Sequence, residues 1–393
     1  MKLVVLTSRF PWPIEKGDKL RVYHQLKHLS AHYDILLICV TDEKPTQQDL
    51  VALDPFCSEI KSFSIPKWHR YASALYHWIK GQPAQVGYFF SSRVKKEIYK
   101  SIIAFEPDRI YCQLIRVSEY VKTLPFVKVL DYMDTFSSGM RRQAEVRSFP
   151  SNLFYRREAT LTRNYERQVY SYFDETTIIS ERDKQELPML SKNLVKVIPN
   201  GIDSEYFIPI DDSPSYDLAF VGNLGYKPNE EAVLNLLTWY KAANFDRPVR
   251  VLIAGARPTD AVLSIDEKHW TIAGWVDDIR TAYRDAKIFV APLTIGSGLQ
   301  NKILEAMSCG LPCVTTEMVN VSIGAADHNE IVIADTPEKW KIAILDLLDS
   351  PEKRMEIGEN ARNFVLNNYQ WYKFNSSLND LIKHAKSKSN FGG

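Results

Sequence analysis

The sequence predicts an α/β protein of two domains, each built on a parallel sheet. Three observations predict it. Short runs such as Lys2–Thr7, Arg109–Gln113, Leu218–Val221 and Ile288–Leu293 have the length and character of strands buried on both faces. Segments of helical period separate such runs, which is the alternation of βαβ units. A chain of 393 residues exceeds one ordinary domain, and two of about 180 residues each is the natural division.

Composition narrows the class. Hydrophobic residues make up 45% and charged residues 25%, with a net charge of +1, so no overall field gathers nucleic acid. Five scattered cysteines form no disulfide framework, and Cys309 and Cys313 lack a second pair for zinc. Cys39, inside ILLICV, reads as a buried thiol. No run approaches the ~20 apolar residues that cross a bilayer. The opening KLVVLT is too short for a secretory core. The expectation is a cytoplasmic protein that meets a membrane, if at all, from its inner surface.

Taken in order, Lys2–Thr7 is the first strand, and SRFPWPIEKGDK with its breakers Pro11, Pro13 and Gly17 is the loop after it. A helix opens near Asp18. No G-x-G-x-x-G follows the strand, so this is not the dinucleotide fingerprint. His24, His28 and His32 recur at helical spacing opposite Val22, Leu26 and Leu29, which places them on a solvated face and not at a metal. Tyr33–Val40 and Ser58–Ile65 read as strands. In Lys67–Lys80 (KWHRYASALYHWIK), Tyr71, Leu75 and Trp78 share a helical face with Trp68 close by. That face either packs on its own sheet or meets an anionic bilayer interface.

Ser91–Phe105 is helical, and Lys128–Tyr132 is a further strand. Arg141–Phe173 is helical and rich in arginine, read as a solvated face, with the phosphates of an acceptor as the functional alternative. Glu175–Ser180 closes the first domain, and Ser180 suits a helix N-cap. The linker lies between Pro188 and Pro214 and contains the turn dipeptide Asn200-Gly201. The expected division is 1–190, 191–370, and a last helix with its tail, 371–393. In the second domain, strand Leu218–Val221 leads to GNLGYKPN, and Arg250–Ala254 leads to Gly255 and Arg257. Asp278 suits an N-cap. Glu338–Leu348 and Arg354–His384 are helical, the latter broken near Tyr369.

The chemistry concentrates in KIFVAPLTIGSGLQNKILEAMSCGLPCVTT, Lys287–Thr316. A buried strand is followed by a loop with Gly296 and Gly298. A helix then buries Leu299, Ile303, Ala306 and Met307, and Gly310 and Pro312 stop it. Such a loop lets backbone N–H groups approach an anion at the positive end of a helix. Lys302 and Glu305 share a face one turn on. A cation there suits a phosphate and a carboxylate suits ribose hydroxyls, so the expected ligand is a nucleotide. A plain exposed Lys–Glu pair is the bland alternative.

This stretch resembles the donor site of the family-4 glycosyltransferases, in particular bacterial members that build surface polysaccharides. The resemblance implies the GT-B arrangement, two Rossmann-like domains facing across a cleft, with an acceptor on the first and the donor on the second. Of the family's two glutamates eight positions apart, Glu305 matches the second, and Ser297 stands at the first. The family's His-Asp pair after the Lys128–Tyr132 strand reads Met133-Asp134. Where relatives carry an arginine and a lysine that clamp the diphosphate, this chain has Asn223 and, close by, Lys227. The resemblance nominates Asp134, Arg116 and Lys302 as catalytic, with Gln113 beside Arg116. For the donor it nominates Gly17, Asp18, Gly222, Asn223, Lys227, Gly255, Trp275, Val276, Gly296, Ser297, Gly298, Leu299, Lys302 and Glu305.

The implied reaction is hexosyl transfer with retention, from a nucleotide sugar (a UDP-sugar first) to a glycan or lipid-linked acceptor. The nucleotide sugar is a co-substrate, and no cofactor is expected. No Asp-x-Asp triplet occurs in the chain, which favours a metal-free diphosphate site built on Lys302, backbone amides and helix dipoles. Two alternatives stand beside it: an epimerase of the same fold, which needs a carboxylate or histidine pair, and a nucleotide-sugar-binding protein without catalysis.

Overall fold

The computed structural model describes residues 1–14, 17–41, 44–189, 192–209, 214–294 and 299–387. The chain forms two compact units, Met1–Asn200 with Phe374–Gly393, and Gly201–Lys373.

In the first unit the described strands are β1 (Lys2–Thr7), β2 (Asp34–Thr41), β3 (Glu59–Ser64), β4 (Arg109–Gln113), β5 (Val127–Asp131), β6 (Glu175–Ile178) and β7 (Val195–Val197). They pair in parallel in the order β3-β2-β1-β4-β5-β6-β7. Alternation along each strand divides the core into two layers. Val4, Leu6, Leu36 and Ile38 enter one layer, and Leu3, Val5, Ile35 and Leu37 enter the other. Burial on both faces is what the near-continuous apolar runs demanded.

The second unit contains β8 (Tyr216–Val221), β9 (Val251–Ala254), β10 (Trp270–Gly274), β11 (Ala286–Ala291), β12 (Cys313–Thr315) and β13 (Val332–Ile333). Its parallel order is β10-β9-β8-β11-β12-β13, the same winding as the first sheet. Each unit is therefore Rossmann-like.

The helices that position functional side chains are α1 (Gly17–Leu29), α2 (Lys67–Ile79), α3 (Phe136–Val146), α4 (Ser151–Val169), α5 (Lys227–Ala243), α6 (Asn301–Ser308) and α7 (Trp371–His384). Four expectations change. The first unit runs past residue 190, because β7 pairs with β6 and carries the first sheet onward to Asn200. The arginine-rich segment is two helices, α3 and α4. Pro150 ends the continuity, since a proline lacks the N–H and crowds the turn before it.

His24 is buried instead of solvated, because α7 covers α1. Asn375 donates to the His24 carbonyl at 2.9 Å, and Leu378 and Ile382 pack with Leu26 and Leu29. The aromatic face of α2 does not pack on the sheet. Trp68 is 73% exposed and Tyr71 66% exposed, with Leu75, Tyr76 and Ile79 beside them. Trp78, at the edge of that stripe, instead stacks on Phe154 at 5.6 Å. The inner face of α2 is polar: the buried Arg70 donates to the Thr41 carbonyl, and Ser73 donates to the Phe90 carbonyl at 3.2 Å.

Candidate functional site

In an open α/β sheet, ligands lie at the carboxyl ends of the strands where the winding reverses. In the second unit that point is between β8 and β11. The chain leaves β8 at Gly222-Asn223, and Asn229 on α5 turns back onto this loop. Asn229 is buried, and its Nδ2 donates to the Asn223 carbonyl at 2.9 Å. Its Oδ1 accepts from Lys302 Nζ. The ammonium also lies 5.4 Å from the centre of the Phe220 ring. Lys302 thus rests as a partly buried cation beside the loop after β8. Burial lowers its proton affinity to about 8, and Glu305 opposes the shift.

Glu305 lies one turn further along α6 and accepts from the Tyr283 hydroxyl at 2.6 Å. Burial pushes this carboxyl up, against Tyr283 and Lys302, which hold it down. Ile303, Ala306 and Met307 on the opposite face are fully buried, so packing fixes how α6 presents Lys302 and Glu305. Leu299 packs partly buried on the same core.

The neighbouring strand ends crowd together. The Gly255 N–H donates to the Gly274 carbonyl at 2.6 Å, and Gly255 has a φ of 141°. A β-carbon there would lie 1.7 Å from the Gly222 carbonyl oxygen, so only glycine fits. Trp275, after β10, is 68% exposed, and its Nε1 donates to Asp277 at 3.3 Å. Val276 packs partly buried on the core. Asp278 caps the helix Ile279–Arg284. Lys227 stands apart from this group. It is exposed on the first turn of α5, 3.0 Å from Glu230 and 3.7 Å from Glu231. Gly296, Ser297 and Gly298 lie outside the described residues.

In the first unit the loops after β1, β4 and β5 converge. Gly17 and Asp18 open α1. Asp18 is buried, its carboxylate accepts from Arg9, and its carbonyl accepts from Gln113 Nε2 at 2.9 Å. A β-carbon on Gly17 would lie 3.8 Å from Met133 Cε, which brings the loops after β1 and β5 into contact. Met133 has a φ of 61°, and the Asp134 N–H closes the bend onto the Tyr132 carbonyl at 2.7 Å.

Asp134 is exposed as a residue, yet its carboxyl is crowded in this bend. Desolvation, then Asp183, with which it shares a hydrogen bond, pushes it up to about 6. Arg116 stacks its guanidinium 4.6 Å from the Phe136 ring centre, and its Nε donates to Gln85 at 3.5 Å. Together with Arg9 and the aromatic residues Tyr71, Trp78, Tyr88, Phe89 and Phe154, it lines a cavity of about 630 Å³.

A buried network underlies these loops. Arg21 pairs with Asp131 at 2.6 Å and donates to Asn200 Oδ1 at 2.9 Å, and the Tyr111 hydroxyl donates to Asp131 at 2.8 Å. Burial acts to raise the Asp131 carboxyl, but Arg21, Tyr111 and the Met133 N–H hold it below the usual range. The network ties α1 to β5, and so sets where Asp18 and Met133 stand. Sequence reading singled out none of Asn229, Tyr283, Arg9 or Arg21. Asn229, directly behind Pro228 in the first turn of a helix, was the one visible signal.

Two Rossmann-like units, each with polar side chains gathered at the carboxyl ends of its strands, define a protein of the GT-B class. Residues 215–350 match the family model for glycosyl transferases group 1, and the fold of the chain is of GT-B type. A Klebsiella pneumoniae protein described as an uncharacterized 44.6 kDa protein in the cps region is 22% identical, over 96% of this chain and 98% of its own. The structure is similar to sucrose-phosphate synthase from Thermosynechococcus elongatus, with a TM-score of 0.68, 13% identity and 98% of each chain covered. It is also similar to HepE from Anabaena, solved in complex with UDP, with a TM-score of 0.67 and 14% identity. That match covers 98% of this chain and 100% of the other.

Proposed function

We propose that the protein transfers a hexosyl group, with retention, from a nucleotide sugar bound to the second unit onto a glycan or lipid-linked acceptor bound to the first. One observation carries the donor side: Lys302, held as a partly buried cation by Asn229 beside the Gly222-Asn223 loop, one turn from Glu305. A diphosphate would be met by Lys302 and by the backbone of Gly222, Asn223 and Leu299. The ribose would be met by Glu305, whose tyrosine partner fixes its carboxylate. Gly255, Trp275 and Val276 would frame the base. Lys227 is a weaker nominee, since Glu230 engages it. The UDP bound by HepE supports a UDP-sugar as donor.

A protein cation that can neutralise the diphosphate supports chemistry without a divalent metal. Asp134 and Arg116 are the polar groups of the first unit that would bear on the acceptor and the transferred sugar, and Gly17 and Asp18 are its nominees for the donor. Incubating the protein with UDP-, GDP- and ADP-sugars in excess EDTA, and following nucleotide release with and without candidate acceptors, tests the reading. Donor turnover that requires added magnesium would sink the metal-free part, and no binding of any nucleotide would sink the whole.

The exposed aromatic stripe of α2 supports contact with an anionic membrane from the cytoplasmic side. Among the described residues no helix is long and apolar enough to cross a membrane. Trp68→Ala with Leu75→Ala should weaken co-sedimentation with anionic vesicles, and equal sedimentation would remove α2 as the contact. One observation favours a second reading, epimerisation of a nucleotide sugar: Asp134 and Asp183 are the carboxylate pair such an enzyme needs. A new nucleotide sugar formed with no acceptor present would decide for it.

A further inference from the structure

We infer that the groove between α3 and α4 is a phosphate-binding site, and that the acceptor handled by the first unit carries a phosphate or diphosphate there. From α3 the groove takes Ser137, Ser138, Arg141 and Ala144, and from α4 it takes Arg156, Ala159, Thr160 and Arg163. The spacings are three and four on both helices, so each set is one continuous face turned to the other helix. The groove has a volume of about 300 Å³.

Three arginines line the groove and no acidic residue does. Among the described residues, Arg141, Arg156 and Arg163 form no ion pair. The acids close to them in sequence or space are held elsewhere. Glu158 accepts from the Ala84 and Gln85 N–H groups at 3.0 and 3.2 Å, on the other side of α4. Glu166 is buried and accepts from the N–H and hydroxyl of Ser137 at 3.0 and 2.6 Å, which fixes that serine at the floor of the groove. Glu186 is engaged by the Ser138 hydroxyl and by Arg142.

Ala144 and Ala159 leave the room that larger residues would fill. Arginines that line one groove favour an anion between them, and their planar forks match the oxygens of phosphate. Three positive charges around one small space suit a dianion or trianion better than a single carboxylate.

Asp134 lies three residues before Ser137, so the proposed phosphate site and the candidate catalytic carboxylate stand on neighbouring segments of the first unit. The assignment to the acceptor rests on the proposed glycosyl transfer, whereas the phosphate site does not. The test uses the full chain with UDP saturating the donor site. Pyrophosphate and phosphatidic-acid vesicles are then the probes, compared with neutral phosphatidylcholine vesicles.

Arg156→Gln with Arg163→Gln, both exposed positions, should weaken binding of the recognised probe about 10- to 100-fold while leaving UDP affinity unchanged. Arg156→Lys with Arg163→Lys should recover part of it, because charge is kept but the fork is lost. Loss with pyrophosphate identifies a soluble phosphorylated acceptor, and loss with the acidic vesicles alone identifies a lipid phosphate. Equal binding of both probes to wild type and the glutamine variant overturns the site. If the groove binds phosphate but no sugar transfer is found with any donor, the acceptor assignment falls and the anion site stands. If transfer proceeds with unchanged acceptor KM in the glutamine variant, the transferase reading stands and this inference falls.

Discussion

Replacing Lys302 by methionine separates binding from folding at this site. The side chain is partly buried, donates to Asn229 and lies over Phe220, so methionine keeps most of the packing and removes only the charge and the donor. Holding the ammonium charged in this setting is costly. Its proton affinity falls to about 8 from 10.5, and a tenfold change in affinity is about 1.4 kcal/mol. The penalty at neutral pH is therefore on the order of 3 kcal/mol.

The variant relieves that penalty but leaves Asn229 Oδ1, buried and without its donor, at a cost of about 1–3 kcal/mol. The two nearly cancel, and the melting temperature should move little. Diphosphate binding has no such compensation. Losing a charge-assisted hydrogen bond should weaken UDP binding by about 1.5–3 kcal/mol, or about 10- to 150-fold. Calorimetric titration with UDP at pH 7 and pH 9 is the assay.

Wild-type affinity should fall across that range, because the cation is lost as pH rises through about 8. The variant should show little change. Stability moves the other way. Between about 8 and 10.5 the native state binds fewer protons than the unfolded chain, so wild-type stability rises with pH in that window, and the variant should not show the rise. If Lys302→Met binds UDP as tightly as wild type at pH 7, the cation is not a donor-site group.

Glu305→Gln should weaken nucleoside binding while leaving the fold intact, and Tyr283→Phe should do the same more mildly by freeing the carboxylate. If Glu305→Gln weakens 2′-deoxy-UDP as much as it weakens UDP, the carboxylate does not meet the ribose. Gly255→Ala should destabilise the second unit by about 3 kcal/mol or more, since its β-carbon would fall 1.7 Å from a backbone oxygen at a φ that only glycine tolerates. A melting temperature within a degree of wild type would contradict the close approach of the β8 and β9 ends. The Asp134 carboxyl is raised to about 6, so its contribution to stability is full below its unfolded value and is lost as pH rises through about 6. If Asp134 acts ionised, transfer rises through that pH. Asp183→Asn should move this limb lower, and an unmoved limb would exclude Asp134 from the reaction.

What the sequence revealed and what it hid divide along the range of the interactions. Strands such as β1 and β11 were legible because burial on both faces leaves a short continuous apolar run, a property each strand carries by itself. The breakers around α6 were legible for the same reason. Partners were not. Lys302 meets Asn229 across 73 positions, and Arg21 meets Asp131 across 110. No local pattern records either pairing, because the sheet winding alone brings the loop after β8 to α6 and brings α1 to β5.

The arginines of Arg141–Phe173 show a second limit. Read as one helix they form a scattered polar surface. Once Pro150 divides them into α3 and α4, the same spacings turn Arg141, Arg156 and Arg163 toward one groove.

Helix α2 shows a third limit. Periodicity finds an apolar stripe and cannot say which way it faces, and burial at the core is the usual answer. Here the inner face is held instead by hydrogen bonds of Arg70 and Ser73 and by Trp78 against Phe154, which leaves Trp68, Leu75 and Ile79 in solvent. A stripe of large apolar side chains left outside a well-packed unit needs a reason of its own. Tryptophan and tyrosine beside lysine, with no acid between Ser62 and Lys96, support the membrane contact proposed above.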